Sequence, residues 1–197
     1  MFDKLVLASN NAGKLKEFSA LLAPLGVEVI PQGQLNVPEC PEPHYTFLEN
    51  ALEKARHASR MTGLPALADD SGICVEALAG APGVRSARFA GDPKSDERNN
   101  ALLVEKLQGK ASRRAWYTCV LVLVRHADDP QPIVADGVWY GEVASTPSGS
   151  GGFGYDPYFY LPSHGCTVAD LPAEEKNRIS HRGQAMQTLL AKLKAQA

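Results

Sequence analysis

The stretch Ala66-Leu67-Ala68-Asp69-Asp70-Ser71-Gly72-Ile73-Cys74-Val75 decides how the rest of the chain is read. It starts apolar, as a buried strand does, sets two adjacent carboxylates before a small hydroxyl and a glycine, and returns to apolar residues. If the strand runs straight through, alternation sends Asp69 and Asp70 to opposite faces, so only one of them faces a given cleft. A carboxylate emerging at a strand end is well placed to hold Mg²⁺ or to take a proton from water. The competing reading is an ordinary Asp-Asp-Ser-Gly turn, because Asp, Ser and Gly are common turn residues. On this stretch alone the turn is favoured, and the flanking chain has to decide.

A chain of 197 residues is most simply one domain, 1–197, long enough to bury a core. Its composition is 44% hydrophobic and 21% charged, with a formal net charge of −2. That is a soluble globular balance, and it gives no electrostatic reason to expect a nucleic-acid or membrane-surface partner. No apolar run approaches the length of a membrane span. Met1-Phe2-Asp3-Lys4 leads directly into a strand without a signal-peptide pattern, so a cytoplasmic protein is expected. The four cysteines (Cys40, Cys74, Cys119, Cys166) form no Cys-x-x-Cys pair, which predicts reduced thiols rather than disulfides or a zinc site.

Upstream, Leu5-Val6-Leu7-Ala8 reads as a short buried strand. Ser9-Asn10-Asn11-Ala12-Gly13-Lys14 follows, and then Leu15, Phe18, Leu21, Leu22 and Leu25 recur at helical spacing up to a stop at Gly26. Such a strand, turn and helix can aim backbone N–H groups at phosphate oxygens, with Lys14 adding positive charge. A plain Asn-rich helix cap accounts for the turn equally well. It is not a Walker A loop, which needs Gly where Ala8 stands and Ser or Thr where Leu15 stands. Val27-Glu28-Val29-Ile30 alternates as a strand, and Pro31 to His44 reads as a loop carrying Glu39 and Glu42. Thr46-Phe47-Leu48-Glu49 is a capping-box pattern. It predicts a helix with Leu48, Leu52 and Ala55 on the buried face, and with Asn50 and Lys54 together on another. Lys54 could reach phosphates, although taken alone it reads as a solvated lysine.

Downstream, Ala79 to Gly91 is loop-like, and Ser95 or Asp96 caps a helix to about Leu107. Trp116 to Val124 and Ile133 to Val143 are strongly β-prone and are expected to form a long hairpin, with Trp116 and Trp139 in the core or on a sheet face. Ser148-Gly149-Ser150-Gly151-Gly152-Phe153-Gly154-Tyr155-Asp156-Pro157 is glycine-rich, as flexible linkers are. A linker, however, has no reason to end in Phe-Gly-Tyr-Asp-Pro. An aromatic beside a carboxylate is what a nucleobase site needs, a ring for stacking and an edge for hydrogen bonding. Tyr158 to Leu161 reads as a strand. Ser180 is positioned to cap a last helix with Met186, Leu189, Leu190 and Leu193 on its apolar face. His181 and Arg182 then fall in its first turn, where cations oppose the macrodipole, which favours a ligand-facing role over a structural one.

Taken in order, Ser9 to Lys14, Glu49-Asn50-Ala51 with Lys54-Ala55, Ala68-Asp69-Asp70-Ser71-Gly72, Gly151-Gly152-Phe153-Gly154-Tyr155-Asp156-Pro157 and Ser180-His181-Arg182-Gly183 resemble the non-canonical purine nucleoside triphosphate pyrophosphatases, also called dITP/XTP or inosine triphosphate pyrophosphatases. The resemblance runs nearly end to end and is closest to the bacterial branch. It implies an α/β fold, elongated and two-lobed, with a central mixed twisted sheet flanked by helices and a ligand cleft between the lobes. It also implies Mg²⁺ dependence, a homodimer, and hydrolysis of dITP/ITP and XTP/dXTP to the monophosphate and pyrophosphate.

Carried over motif by motif, Ser9, Asn10, Asn11, Ala12, Gly13 and Lys14 would hold the triphosphate, with Lys54 beside them. The family usually has Thr-Gly-Asn where this chain has Ser9-Asn10-Asn11, and Asn tolerates a positive φ if the turn needs one. Asp70 would be general base and metal ligand. Glu42 would be the second metal-associated carboxylate, with Glu39 as its competitor. Ser71 would contact the nucleotide. Phe153, Gly154, Tyr155 and Asp156 would form the base site, Phe153 by stacking and Asp156 by bonding the purine edge. Lys176, His181 and Arg182 would complete that pocket. Two other readings compete: a nucleotide sensor without turnover, and a related house-cleaning pyrophosphatase with another nucleotide preference.

Overall fold

A computed structural model describes residues 2–195. The side chains of Glu17 and Leu21, the latter one of the positions that predict the first helix, lie outside the described set. Strand β1 (Lys4–Leu7) leads through the Ser9–Asn11 turn into α1 (Ala12–Leu22). Asn11 caps that helix, its Oδ1 accepting from the Lys14 N–H at 3.1 Å. Strand β2 (Glu28–Pro31) follows, and then α2 (Phe47–Thr62). The Thr46 hydroxyl caps α2, accepting from the Glu49 N–H at 3.2 Å and donating to the Glu49 carboxylate at 2.7 Å.

The turn favoured for Asp69–Gly72 does not form. Strand β3 (Ala66–Val75) runs straight through it. Ala66, Leu67, Ala68, Ile73 and Val75 are all fully buried, and their burial outweighs the turn preference of Asp, Ser and Gly. The chain continues with α3 (Asp96–Lys106), β4 (Arg114–Val124), β5 (Ile133–Val143), β6 (Phe159–Leu161), β7 (Cys166–Thr167), α4 (Ala173–Ile179) and α5 (His181–Lys194). The two-residue β7 and the short α4 are not foreseen in the sequence. Ser95 caps α3, and Ser180 accepts from the Gly183 N–H at 3.2 Å at the start of α5.

The seven strands lie in the order β2-β1-β3-β4-β5-β6-β7. β1 is parallel to β2 and β3, and β6 is antiparallel to β5 and β7, so the sheet is mixed. The chain divides into two compact units. The first comprises Met1–Asp70, Val120–Asp136 and Ala185–Ala197, the second Ser71–Cys119 and Gly137–Gln184.

In the first unit Ala51, Ala55 and Ala58 of α2 pack with Val6, Ala66, Ala68, Val122 and Val124. Small side chains on that helix face bring α2 close to the strands. Leu48, expected on the same face, is 44% exposed instead, because it stands in the first turn of the helix, whereas Ala55 and Ser59 further along that face are buried; Asn50 is also buried, at 1%. In the second unit Ile73, Leu103, Leu107, Tyr117, Trp139, Tyr155 and Phe159 share one core. Trp139 is buried there and Trp116 half-buried on β4.

The connection from β4 to β5 is tied by one carboxylate. Asp129, fully buried, accepts from the Arg125 N–H at 2.9 Å and the Gln131 N–H at 2.9 Å. It also accepts from both sides of the Arg125 guanidinium, at 2.8 and 2.6 Å. Hydrogen bonding from Arg125 holds its pKa well below the usual carboxylate range. A depressed folded pKa contributes stability above the unfolded value of about 3.9, and that contribution is lost as pH falls through the folded value. Asp129→Ala is expected to destabilise by about 3 kcal/mol at pH 7, the scale of losing charged hydrogen bonds to buried groups. The difference from the parent should narrow as pH falls below about 4. Urea denaturation of both proteins across pH 2–7 checks this, and a gap independent of pH would contradict it.

Candidate functional site

β3 places its two carboxylates on separate partners. Asp69, 2% exposed, meets Lys14 of α1, with Nζ to Oδ1 at 2.7 Å. Asp70, 8% exposed, meets two residues of α2: Lys54 Nζ at 3.2 Å on Oδ1 and Asn50 Nδ2 at 3.2 Å on Oδ2. Asn50 and Lys54 lie four apart, so one helix face delivers both. The Asn50 amide is itself held by the preceding loop, its Oδ1 accepting from the His44 N–H at 3.0 Å. Asn50 was not singled out as a site residue, although its spacing from Lys54 carried the signal.

Lys54 also reaches Glu42 Oε1 at 2.8 Å, so Glu42 and Asp70 share one ammonium. Burial pushes the Asp70 carboxyl above its usual range, Lys54 opposes the rise, and the charge of Glu42 adds to it. Burial works against the Lys54 ammonium, but Asp70, Asp69 and Glu42 together outweigh it and hold its pKa above that of an ordinary lysine. Glu39 is exposed and does not act on Asp70 in this way. Among the described residues no three His, Cys, Asp or Glu side chains form a metal-binding group. Glu42 and Asp70 do converge on one cation, the Lys54 ammonium. Two carboxylates fit Mg²⁺, which commonly takes one or two and completes its shell with phosphate and water oxygens.

The Ser9–Lys14 turn forms the Asn-rich helix cap expected for it. Ser9 Oγ accepts from the Asn11 N–H at 3.2 Å and Asn11 caps α1, while Lys14 stands on the first turn of that helix. Among the described residues the non-glycine positions with positive φ are Asn36 and Ala79, so Asn10 takes no left-handed conformation. Ala12 and Gly13 open the helix, and Ser71 follows Asp70 on β3, half-buried.

The glycine-rich loop in the second unit is organised by Asp156. This carboxylate, 4% exposed, accepts on Oδ2 from the Phe153 N–H at 2.8 Å and from Lys176 Nζ at 2.5 Å. Its Oδ1 accepts from the Tyr117 hydroxyl at 3.4 Å. A Cβ on Gly152, which has φ 74°, would collide with that same carboxylate, so the loop closes only with glycine there. Lys176 in turn lies over the Phe153 ring, 4.6 Å from its centroid. Phe153 is 64% exposed, its ring presented outward by the loop. Tyr155 points the other way, its hydroxyl donating to the Ser86 carbonyl at 2.7 Å. His181, at the start of α5, is buried and stacked on Tyr117, with centroids 4.7 Å apart and planes 9° apart. Arg182 follows it, half-buried. Tyr117 thus touches both Asp156 and His181, yet inside a uniformly β-prone run nothing in its sequence context marks it.

One unit therefore offers paired lysines and carboxylates suited to polyphosphate and hydrolytic water, and the other an exposed ring beside a lysine held by a carboxylate. The described residues include no helix long and apolar enough to cross a membrane. Residues 5–192 match the Ham1 family. A dITP/XTP pyrophosphatase of Chromobacterium violaceum is 78% identical over 197 residues, the whole of both chains. One of Ralstonia nicotianae is 65% identical, covering 97% of this chain and 96% of the relative. A HAM1 protein from Coxiella burnetii has the same fold, with a TM-score of 0.95 at 47% identity over the full length of both chains. A family match over nearly every residue, a relative this similar over the whole length and a fold superposing end to end agree, and the chain belongs to the Ham1 family.

Proposed function

We propose that this protein hydrolyses non-canonical purine nucleoside triphosphates, dITP/ITP and XTP/dXTP, to the nucleoside monophosphate and pyrophosphate, clearing deaminated purines from the nucleotide pool. The reading is carried by Asp70, a nearly buried carboxylate with a raised pKa between Lys54 and Asn50. It stands in a chain 78% identical along its whole length to a dITP/XTP pyrophosphatase. A carboxylate so placed suits a general base, because its raised pKa brings it closer to the pKa of the proton it must accept.

In the proposed reaction the Ser9–Lys14 turn and Lys54 bind the triphosphate. Asp70 orients and deprotonates water, which attacks the α-phosphorus as pyrophosphate leaves. Negative charge grows on the phosphate oxygens, and Lys14 and Lys54 stabilise it electrostatically. Mg²⁺ held by Asp70 and Glu42 would add Lewis-acid stabilisation of the same oxygens. For the base, Phe153 supplies a stacking face, and Lys176, His181 and Arg182 supply donors. Hypoxanthine and xanthine carry an oxygen at position 6 that accepts from such donors. Adenine presents an amino group there and leaves them unpaired, a mismatch that discriminates strongly when buried. A homodimer and a cytoplasmic location belong to the same proposal, the homodimer resting on the family resemblance alone.

Incubation of the protein with dITP and Mg²⁺ should yield dIMP and pyrophosphate. Diphosphate plus phosphate would overturn the position of attack, and bound but unreacted dITP would favour a sensor. Asp70→Asn keeps the shape and removes the base, so kcat should fall by roughly 10²–10⁴; near-normal turnover would remove Asp70 from this role. Asp70 must be ionised to act, so kcat/KM should decline as pH falls through its raised pKa, at a higher pH than for an ordinary carboxylate. Lys54→Met removes the charge opposing that rise and should move the acid limb to still higher pH. An unmoved limb would mean that another group controls it. Arg182→Ala should reduce kcat/KM for dITP more than for dATP, and equal losses would speak against base reading by Arg182.

A further inference from the structure

The loop that carries Phe153 is gripped from outside by α3. The Gly154 N–H donates to Asp96 Oδ2 at 2.7 Å, and the Gly154 carbonyl accepts from Asn100 Nδ2 at 2.8 Å. Asp96 and Asn100 lie four apart and therefore on one helix face. A carbonyl can only accept, so the Asn100 amide must turn its nitrogen toward Gly154. Its other end, Oδ1, is buried without a hydrogen-bond partner. The bond to Gly154 thus orients this amide, and it comes with an unsatisfied acceptor, which is costly in a buried position.

Gly154 needs such a grip. Its φ is 62°, and a Cβ there would meet nothing within 4 Å, so glycine is required for conformation and not for space. A residue with that freedom has several backbone states open to it. Phe153 N–H is fixed from inside by Asp156, and Tyr155 is fixed by Ser86. Between them, the Gly154 peptide groups are set by α3. The helix is a firm base for this. Leu103 and Leu107 are buried in the core, and Asn99 ties the helix start to the neighbouring loop through Ala90 N–H at 2.8 Å and Ala87 carbonyl at 3.1 Å.

We propose that Asp96 and Asn100 are positioning residues for base recognition: by clamping the Gly154 peptide on both sides they hold the Phe153 ring outward as a ready platform for the purine. This rests on the reading of Phe153 as the stacking residue. The clamp works by lowering the ordering cost of binding, since a loop already in its binding conformation gives up less freedom when a base arrives. Its chemistry is asymmetric. Position 96 must accept, which either Asp or Asn can do. Position 100 must donate, which Asn can do and ionised Asp cannot.

The test is calorimetric titration with two probes, inosine monophosphate, which carries the base, and Mg²⁺-pyrophosphate, which does not. Phe153→Ala is the reference, and loss of base stacking should weaken inosine monophosphate by about tenfold or more. Asp96→Ala and Asn100→Asp should each weaken it about five- to tenfold while leaving pyrophosphate within about twofold, on the scale of one lost positioning contact. Asp96→Asn, which keeps the acceptor, should bind as the parent does. If Phe153→Ala weakens inosine monophosphate while Asp96→Ala and Asn100→Asp do not, the clamp is overturned and the base platform stands. If Phe153→Ala has no effect, the platform itself is overturned and the clamp with it. Equal losses for both probes, or Asp96→Asn as damaging as Asp96→Ala, would reduce the pair to a general structural role and overturn the inference.

Discussion

Two carboxylates adjacent in sequence repel one another if they share a face; on β3 they do not, because successive side chains of an extended strand leave on opposite sides. Asp69 goes to Lys14 and Asp70 to Lys54, so the two aspartates meet different ammonium groups, each supplied by a different helix, Asp70 sharing its partner with Glu42. The register of β3 beside β1, with Val6 opposite Ala66 and Leu7 opposite Leu67, fixes which lysine meets which carboxylate. A slip by one residue would exchange the faces and turn Asp70 away from α2. The apolar residues on either side of the pair enforce that register, since the same slip would move every buried side chain of the strand.

The second unit uses a carboxylate differently. Asp156 accepts from the backbone of its own loop as well as from Lys176, and so it sets the loop and the lysine at once. The sequence reading gave Asp156 the purine edge. The structure brings it to Phe153 as expected, but buried and with both oxygens accepting hydrogen bonds within the protein. Lys176 consequently reaches the Phe153 ring from a position determined by Asp156.

Much of the fold was legible because its signals are local. The Thr46 cap, the Ser95 cap, the glycines after helices and the β-branched runs of β4 and β5 each follow from a few neighbouring residues. What misled was competition between local and tertiary terms. Asp-Asp-Ser-Gly has the composition of a turn, and only burial on both sides keeps it extended. Leu48 has the right spacing for the core, but it stands in the first turn of α2 and is exposed there, while Ala55 and Ser59 on the same face are buried. The lysines and carboxylates of the candidate site were found through motif order. Asn50 shares a helix face with Lys54, a signal the sequence does carry, but Tyr117, Asp96 and Asn100 carry none, because each acts on a side chain or peptide far away in the chain and no local pattern records such a contact.

The alanine face of α2 has a consequence for how this protein can change. Ala51, Ala55 and Ala58 are fully buried in close packing, and Asn50 and Lys54 ride on the same rigid helix. Interiors at native density accommodate added methylenes by shifting backbone. A larger residue at one of these alanines would act as a wedge, lifting the helix and carrying the ammonium of Lys54 away from Asp70 without altering a single polar group. Drift that is chemically silent at those positions is therefore mechanically loud, and the tolerance of the chain to substitution is set there by volume alone.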